Sequence, residues 1–419
     1  MAMPDPSTKS LPARARPKHS PHLSPRLAQI LGGHGVRIAS DDPRFKSLQA
    51  AAADSDPLAD ALVAWLHAAG PAARGQFEVA LKQGITSVPT PAPELCAFFA
   101  HVDARPAWFD PELAALGGRA VLRHGIDGPL SLSAVLMAGY LTENATKALV
   151  ATGALTKNVA NRLNATGRYV CDVYFSPGLE RFSAGFISSV RVRVVHAEVR
   201  RALLMSAHWD VAALGLPIHQ RDMLVTQLEF SVTYLLATMA LGRIDTRAER
   251  EAVMHLWRYA GTLMGVREDL LPRSFREGLE QLAIFNLTEA GPDEDGRALA
   301  AALVKAWHAG GPEGLRSPRV QRVVGRTIVG FCRHFLGQEA ADALGLPDTA
   351  FKHWPWLRAG LRMPYEVLQL AVPALRRRAQ ARGAQLVAKL YQYPLAGREH
   401  SRRTAQYTPS RMPSAQQAP

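Results

Sequence analysis

The sequence is poor in cysteine, in strand signals and in unbroken apolar runs. Each shortage excludes a class of protein. Cys96, Cys171 and Cys332 are the only cysteines, odd in number and far apart. That excludes a disulfide framework, a cysteine-rich zinc site and a covalent CxxCH haem. No Asn-Gly or Asp-Gly turn joins two alternating runs, so hairpins are not expected. The longest apolar stretch, Leu224 to Gly242, is broken by Gln227, Glu229, Ser231 and Thr233. It predicts a buried helix rather than a membrane span. No apolar segment follows the basic start, so no cleaved export signal is expected, and the expected location is cytoplasmic. HExxH, paired carboxylate–histidine helices, GxSxG and the Walker and Rossmann glycine patterns are missing. Zinc hydrolysis, di-iron chemistry and nucleotide binding lose support accordingly.

What is present is enough apolar residue for a sizeable core. The 419 residues are 47% hydrophobic and 20% charged, so the chain is not globally disordered. The net charge of +13 sits at the ends. Residues 1–26 carry five basic groups against Asp5, and residues 374–419 carry nine against Glu399. The middle is close to neutral, and arginine outnumbers lysine 40 to 9. This fits genomic base composition better than selection for phosphate contacts. No specific nucleic-acid partner is expected, only solvated tails with weak association with anionic surfaces.

Helix punctuation dominates the interior. Ser24-Pro25 opens a helix that stops at Gly32-Gly33, and Asp56-Pro57 opens another. Asp110-Pro111 opens a short one expected to end at Gly117-Gly118. Thr246 and Glu249 form a capping box. The expected fold class is all-α. A basic arm spans residues 1–23, one helical domain 24–350, a basic helical segment 351–394 and a tail 395–419.

Two helices carry the candidate chemistry. In RVRVVHAEVRRALLM (191–205), His196 falls on the helical face of Val192, Val195, Val199 and Leu203. Arg193 and Arg201 fall away from that stripe and Arg200 flanks it. An imidazole there needs a partner, either a backbone carbonyl or a metal or haem iron. On the preceding helix, expected from a Thr156 cap to Phe175, Arg162 and Thr166 share a face with Tyr169, Val170 and Val173. A guanidinium and a hydroxyl there can orient an oxygen ligand or serve a structural ion pair. The short loop to Gly185 should turn one helix back on the other, so cation, hydroxyl and imidazole could converge. His255 is expected to be solvated, His124 to precede a turn, and His208 and His219 to flank a loop.

Four segments carry a resemblance: NRLNATGRYVCDVYFSPG (161–178), SSVRVRVVHAEVRRALL (188–204), GLPIHQRDMLVTQLEF (215–230) and LWRYAGTLMGVREDLLP (256–272). In order and spacing they resemble the MpaB-type oxygenase family, which includes the latex clearing proteins, the rubber oxygenases of actinobacteria. The resemblance implies a globin-like helical core with extra helices that binds haem b and its iron non-covalently. It implies His196 as the axial iron ligand, and Arg162 and Thr166 on the oxygen-binding side. It also implies dioxygen and a hydrophobic small-molecule or polymer substrate. Three departures stand out. Ala165 replaces the lysine of rubber-cleaving members. Thr146 stands at the spacing of their catalytic glutamate, leaving Glu143 as the nearest acid. No export signal is evident. These point to another apolar substrate, such as an unsaturated lipid or isoprenoid, or to a non-catalytic haem sensor or store.

Overall fold

The computed structural model describes residues 24–152, 159–175, 177–289, 291–309 and 317–394. The expected arm, the tail and the Thr156 cap lie outside these residues. Side-chain caps start many of the helices. Ser24 accepts from the Leu27 amide, Asp56 from Ala59, and Thr246 and Glu249 close a reciprocal capping box.

The chain begins with α1 (Pro25–Gly33), α2 (Arg44–Ala50), α3 (Pro57–Ala69), α4 (Pro71–Gln83) and α5 (Pro93–Asp103). The centre holds α6 (Pro111–Arg123), α7 (Asp127–Gly139), α8 (Glu143–Ala151), α9 (Val159–Tyr174) and α10 (Ala184–Leu204). A turn of helix, α11 (Val211–Leu214), leads to a rod made of α12 (Gln220–Leu228), a π-helical turn (Glu229–Thr233) and α13 (Tyr234–Ala240). Then come α14 (Arg247–Leu263), α15 (Phe275–Thr288), α16 (Glu294–His308), α17 (Pro318–Leu336) and α18 (Gln338–Ala343). The last two are α19 (Trp354–Ala371) and α20 (Pro373–Leu390). No strand occurs among the described residues. The fold is all-α.

The α12–α13 rod is long and apolar enough to cross a membrane, yet most of it is buried in the core. It packs with α7, α14 and α15, and one continuous apolar cluster runs through all of them.

Gly117-Gly118 does not end α6, which runs on to Arg123. A Cβ on Gly117 would lie 2.4 Å from the Ala252 carbonyl oxygen, and one on Gly118 2.4 Å from that of Tyr174. The pair is where α14 and α9 press against α6, so its role is close approach rather than termination. The charged side of α10 also departs from the wheel. Arg193 and Arg200 are buried, whereas Val192, Val195 and Val199 are half-buried. Arg193 forks onto Asp56 at 2.6 and 2.9 Å, and Arg200 reaches Asp60 at 2.8 Å and the Ile218 carbonyl at 2.6 Å. Acids on and just before α3 turn that charged side inward, which a hydrophobicity pattern cannot anticipate.

A second buried polar region ties α6, α7 and α13 to α19. Arg123 bonds Asp245 at 2.7 Å and Glu366 at 2.8 Å. Arg243 bonds Asp127 at 2.7 Å and Glu366 at 3.0 Å. His124, expected only before a turn, is fully buried and bonds Asp245 and Tyr234, each at 2.9 Å. Burial would raise Glu366, but Arg123 and Arg243 outweigh it and hold the carboxyl at about 2.

Candidate active site

α9 and α10 lie side by side because the loop between them is short and Ser183 caps α10 by accepting from the Phe186 amide. Tyr169 on α9 meets Ser189 on α10 at 3.3 Å. One turn apart on α9, Arg162 and Thr166 are both half-buried. Two turns beyond Ser189, His196 projects from α10.

His196 is neutral. Burial is the main cause of a fall in its pKa to about 4. Arg200 and, more weakly, Arg162 add to the fall against Asp56. Its Nδ1 is enclosed and finds no hydrogen-bond partner among the described residues. The carbonyl partner of an ordinary core histidine is therefore missing at that nitrogen.

Arg162 links this imidazole to a second group of side chains. Tyr140, at the end of α7, is buried with no partner for its hydroxyl. Burial pushes that phenol up, Arg162 pulls it down and Glu229 pushes it up again. Glu229 opens the π-helical turn of the central rod. Such widened turns re-aim side chains and concentrate at functional sites. Gly139, just before Tyr140, leaves room for it, since a Cβ there would lie 2.4 Å from Glu229 Oε1. Burial raises the Glu229 carboxyl to about 8. It therefore carries a proton at neutral pH.

Aromatic rings wall this region. Phe230 stacks on Trp257 with centroids 4.8 Å apart, and Tyr169 and Tyr174 approach Trp257 at 6.2 and 5.9 Å. Gln227 Oε1 and Thr233 Oγ1, from the same rod, are further buried polar atoms without partners. His196, Glu229 and Tyr169 are each half-buried.

The other expectations fare unevenly. Glu143 is the half-buried first residue of α8, and Thr146 is buried, donating to the Glu143 carbonyl at 3.0 Å. Rather than being solvated, His255 is half-buried, accepts from the Asp110 amide at 2.9 Å and stacks on Phe109. His219 caps α12, Gln220 donates to the Ser55 and Gly265 carbonyls, and the Ile218 carbonyl accepts from Arg200. Sequence reasoning missed Tyr140 and Glu229. Glu229 registered there only as an interruption of an apolar run, which was the available signal.

Among the described residues no group of three or more histidine, cysteine or acidic side chains could cage a bare metal ion. A single neutral imidazole that keeps accessible area suits a metal that arrives with its other ligands in place, as iron does in a porphyrin. The residues present thus fit haem, which His196 would hold.

The architecture and the site define an all-helical protein built round one neutral imidazole and a set of unsatisfied polar groups. The chain belongs to the family described as ER-bound oxygenase mpaB/B'/Rubber oxygenase, catalytic domain, whose model matches residues 122–364. It is similar to a rubber oxygenase of Streptomyces sp. (strain K30), 28% identical over 163 residues, which is 38% of this chain and 38% of that protein. That match spans well under half of the relative's length. In fold the chain is similar to latex clearing protein in its closed state, with a TM-score of 0.57 and 20% identity over 85% of this chain and 93% of that one.

Proposed function

We propose that the protein is a haem b-dependent oxygenase that acts with dioxygen on a hydrophobic molecule, with His196 as the axial iron ligand. The observation that carries this reading is a neutral His196 that keeps accessible area on α10 within the electrostatic reach of Arg162. Haem, when bound, would supply the activation of dioxygen.

The chain's own residues supply the rest. Burial keeps His196 unprotonated, so a ring nitrogen lone pair is free to donate. Arg162 and Thr166 offer N–H and O–H donors to the oxygen atoms of the reactant, in a site where such dipoles act more strongly than in water. Glu229 holds a proton on its carboxyl at neutral pH and can release it and take it back, as a group titrating near 8 is suited to do. We assign proton handling to Glu229 in preference to Glu143 because Glu229 and Arg162 act on the same Tyr140 hydroxyl. Phe230, Trp257 and Tyr169 exclude water and favour an apolar substrate over a polar one. With Ala165 in place of a lysine, the site lacks a second fixed cation on α9 beside Thr166.

The test is to reduce the purified protein, add ¹⁸O-labelled dioxygen with unsaturated lipids or isoprenoids, and examine the products by mass spectrometry. Label in a carbonyl or hydroxyl product is the expected result. Reversible oxygen binding without incorporation would replace the oxygenase with a sensor or store.

A further inference from the structure

α19 is built inside out. Its charged side chains Arg358, Arg362 and Glu366 turn inward to Asp127, Arg123 and Arg243, and Gln369 is fully buried beside them. Its large apolar side chains turn outward. Trp356 is 64% exposed, Leu357 67% and Leu361 76%, with Val367, Leu368 and Leu370 each between 44% and 52%. A soluble helix normally does the reverse. An exposed apolar face this long marks an interaction surface.

The neighbouring helices say what kind of partner it meets. α19 packs against both α17 and α20. On α17, Arg319, Arg322 and Arg326 are exposed beside Val320 and Val323. On α20, Arg377, Arg378 and Arg382 are exposed, with Leu386 one turn further on. Across the three helices the only acid is Glu366, and it is completely buried in the ion network. The surface therefore offers an apolar ridge between exposed arginines, with no exposed carboxylate. A second copy of the chain would bring arginines against arginines across a two-fold axis, which disfavours self-association. Leu361, the most exposed of these side chains, forms a crest suited to insertion. Trp356 and Tyr365 bring amphipathic rings of the kind that sit at headgroup level. Between Leu357 and Leu361 a shallow groove of about 360 Å³ reaches Arg358 and Arg362.

We propose that the α17–α19–α20 face docks on an anionic lipid bilayer, with the α19 apolar ridge entering the interface and the flanking arginines meeting lipid phosphates and carboxylates. Apolar burial and attraction to anionic lipid together are what hold interfacial helices of this kind. The proposal stands on the exposed face alone and does not depend on the cofactor.

The test uses the full chain in sedimentation with large unilamellar vesicles. One set is pure phosphatidylcholine, and the other contains about one third phosphatidylserine. Binding at low salt to the second set, at least tenfold tighter than to the first, is expected. The double variant Leu357→Asp, Leu361→Asp should weaken it at least tenfold with unchanged helical circular dichroism, since both side chains stand in solvent. Replacing Arg377, Arg378 and Arg382 with alanine should weaken it comparably. A chain ending at residue 394 should keep most of the binding. Failure to bind anionic vesicles would overturn the proposal. So would binding that the two aspartates leave intact, which would place the attraction in the terminal arginines. Sedimentation equilibrium showing a dimer that the aspartates dissociate would overturn it in favour of an interface between copies.

Discussion

Two polar regions share one core and are built in opposite ways. Around Glu366, four arginines, three carboxylates and a histidine interlock, and every carboxylate meets at least one guanidinium. On α10, at the end of α7 and on the central rod, by contrast, the His196 Nδ1, the Tyr140 hydroxyl and the Gln227 Oε1 are buried without partners, and burial alone sets the Glu229 carboxyl. A buried polar atom left unpaired costs about 1–3 kcal/mol, and both regions hold some, since Arg123 Nε, Asp245 Oδ2 and Gln369 Oε1 also lack partners. The difference lies in the carboxyls, which all meet a guanidinium in the first region, whereas burial alone sets Glu229 in the second. Charge tells the same story. The paired region holds its carboxyl down at about 2, and the open region lets one rise to about 8.

The largest expected effect comes from breaking the paired region. Glu366→Ala leaves Arg123 and Arg243 buried without that partner and should cost about 3–5 kcal/mol in urea unfolding. A loss near zero would mean that α19 is not anchored through this carboxylate. The pH dependence of the same group follows from its depressed value. Its stabilisation is complete above the ordinary carboxyl pKa of 4.5 and is lost as pH falls from there towards 2. Glu366→Gln should flatten that part of the stability curve, whatever its effect at neutral pH.

Glu229 should show the opposite slope. Folded, it binds a proton up to about pH 8, whereas unfolded it ionises near 4.5, so stability falls as pH rises between those values. Glu229→Gln should therefore be more stable than the parent at pH 8.5, by at least about 1 kcal/mol. Equal melting curves at that pH would place the carboxyl in contact with water or with a cation. Smallest of all should be the effect of His196→Ala on the cofactor-free protein. Removing an unpaired imidazole and leaving a small void should nearly cancel, within about 1 kcal/mol in thermal unfolding.

Much of this contrast was legible locally, and the rest depended on who packs against whom. The caps at Ser24, Asp56 and Thr246 marked helix starts because the first free amides need an acceptor wherever the helix lies. His196 and Arg162 could be singled out because spacing alone puts them on apolar or half-apolar faces. Gly117-Gly118 resembled a helix stop because glycine also serves close helix contacts, and only the position of Ala252 and Tyr174 decides between them. Arg193, Arg200 and His124 looked peripheral because their acids lie far off in sequence, at Asp56, Asp60 and Asp245. Glu229 stayed hidden because its importance comes from the π-helical turn and from Gly139 opposite, neither of which has a periodic signature. The inverted face of α19 follows from the same cause, since its buried charges are explained only by partners on α6, α7 and just beyond α13.

The central claim is that the unsatisfied region exists to hold a porphyrin through one imidazole. The direct measurement is titration of haem into the cofactor-free protein and into His196→Ala, followed by absorbance in the oxidised and dithionite-reduced states. A saturable Soret band in the parent at one haem per chain, lost or bound at least a hundredfold more weakly in the variant, is the result expected. Identical spectra and affinities in the two proteins would contradict the account.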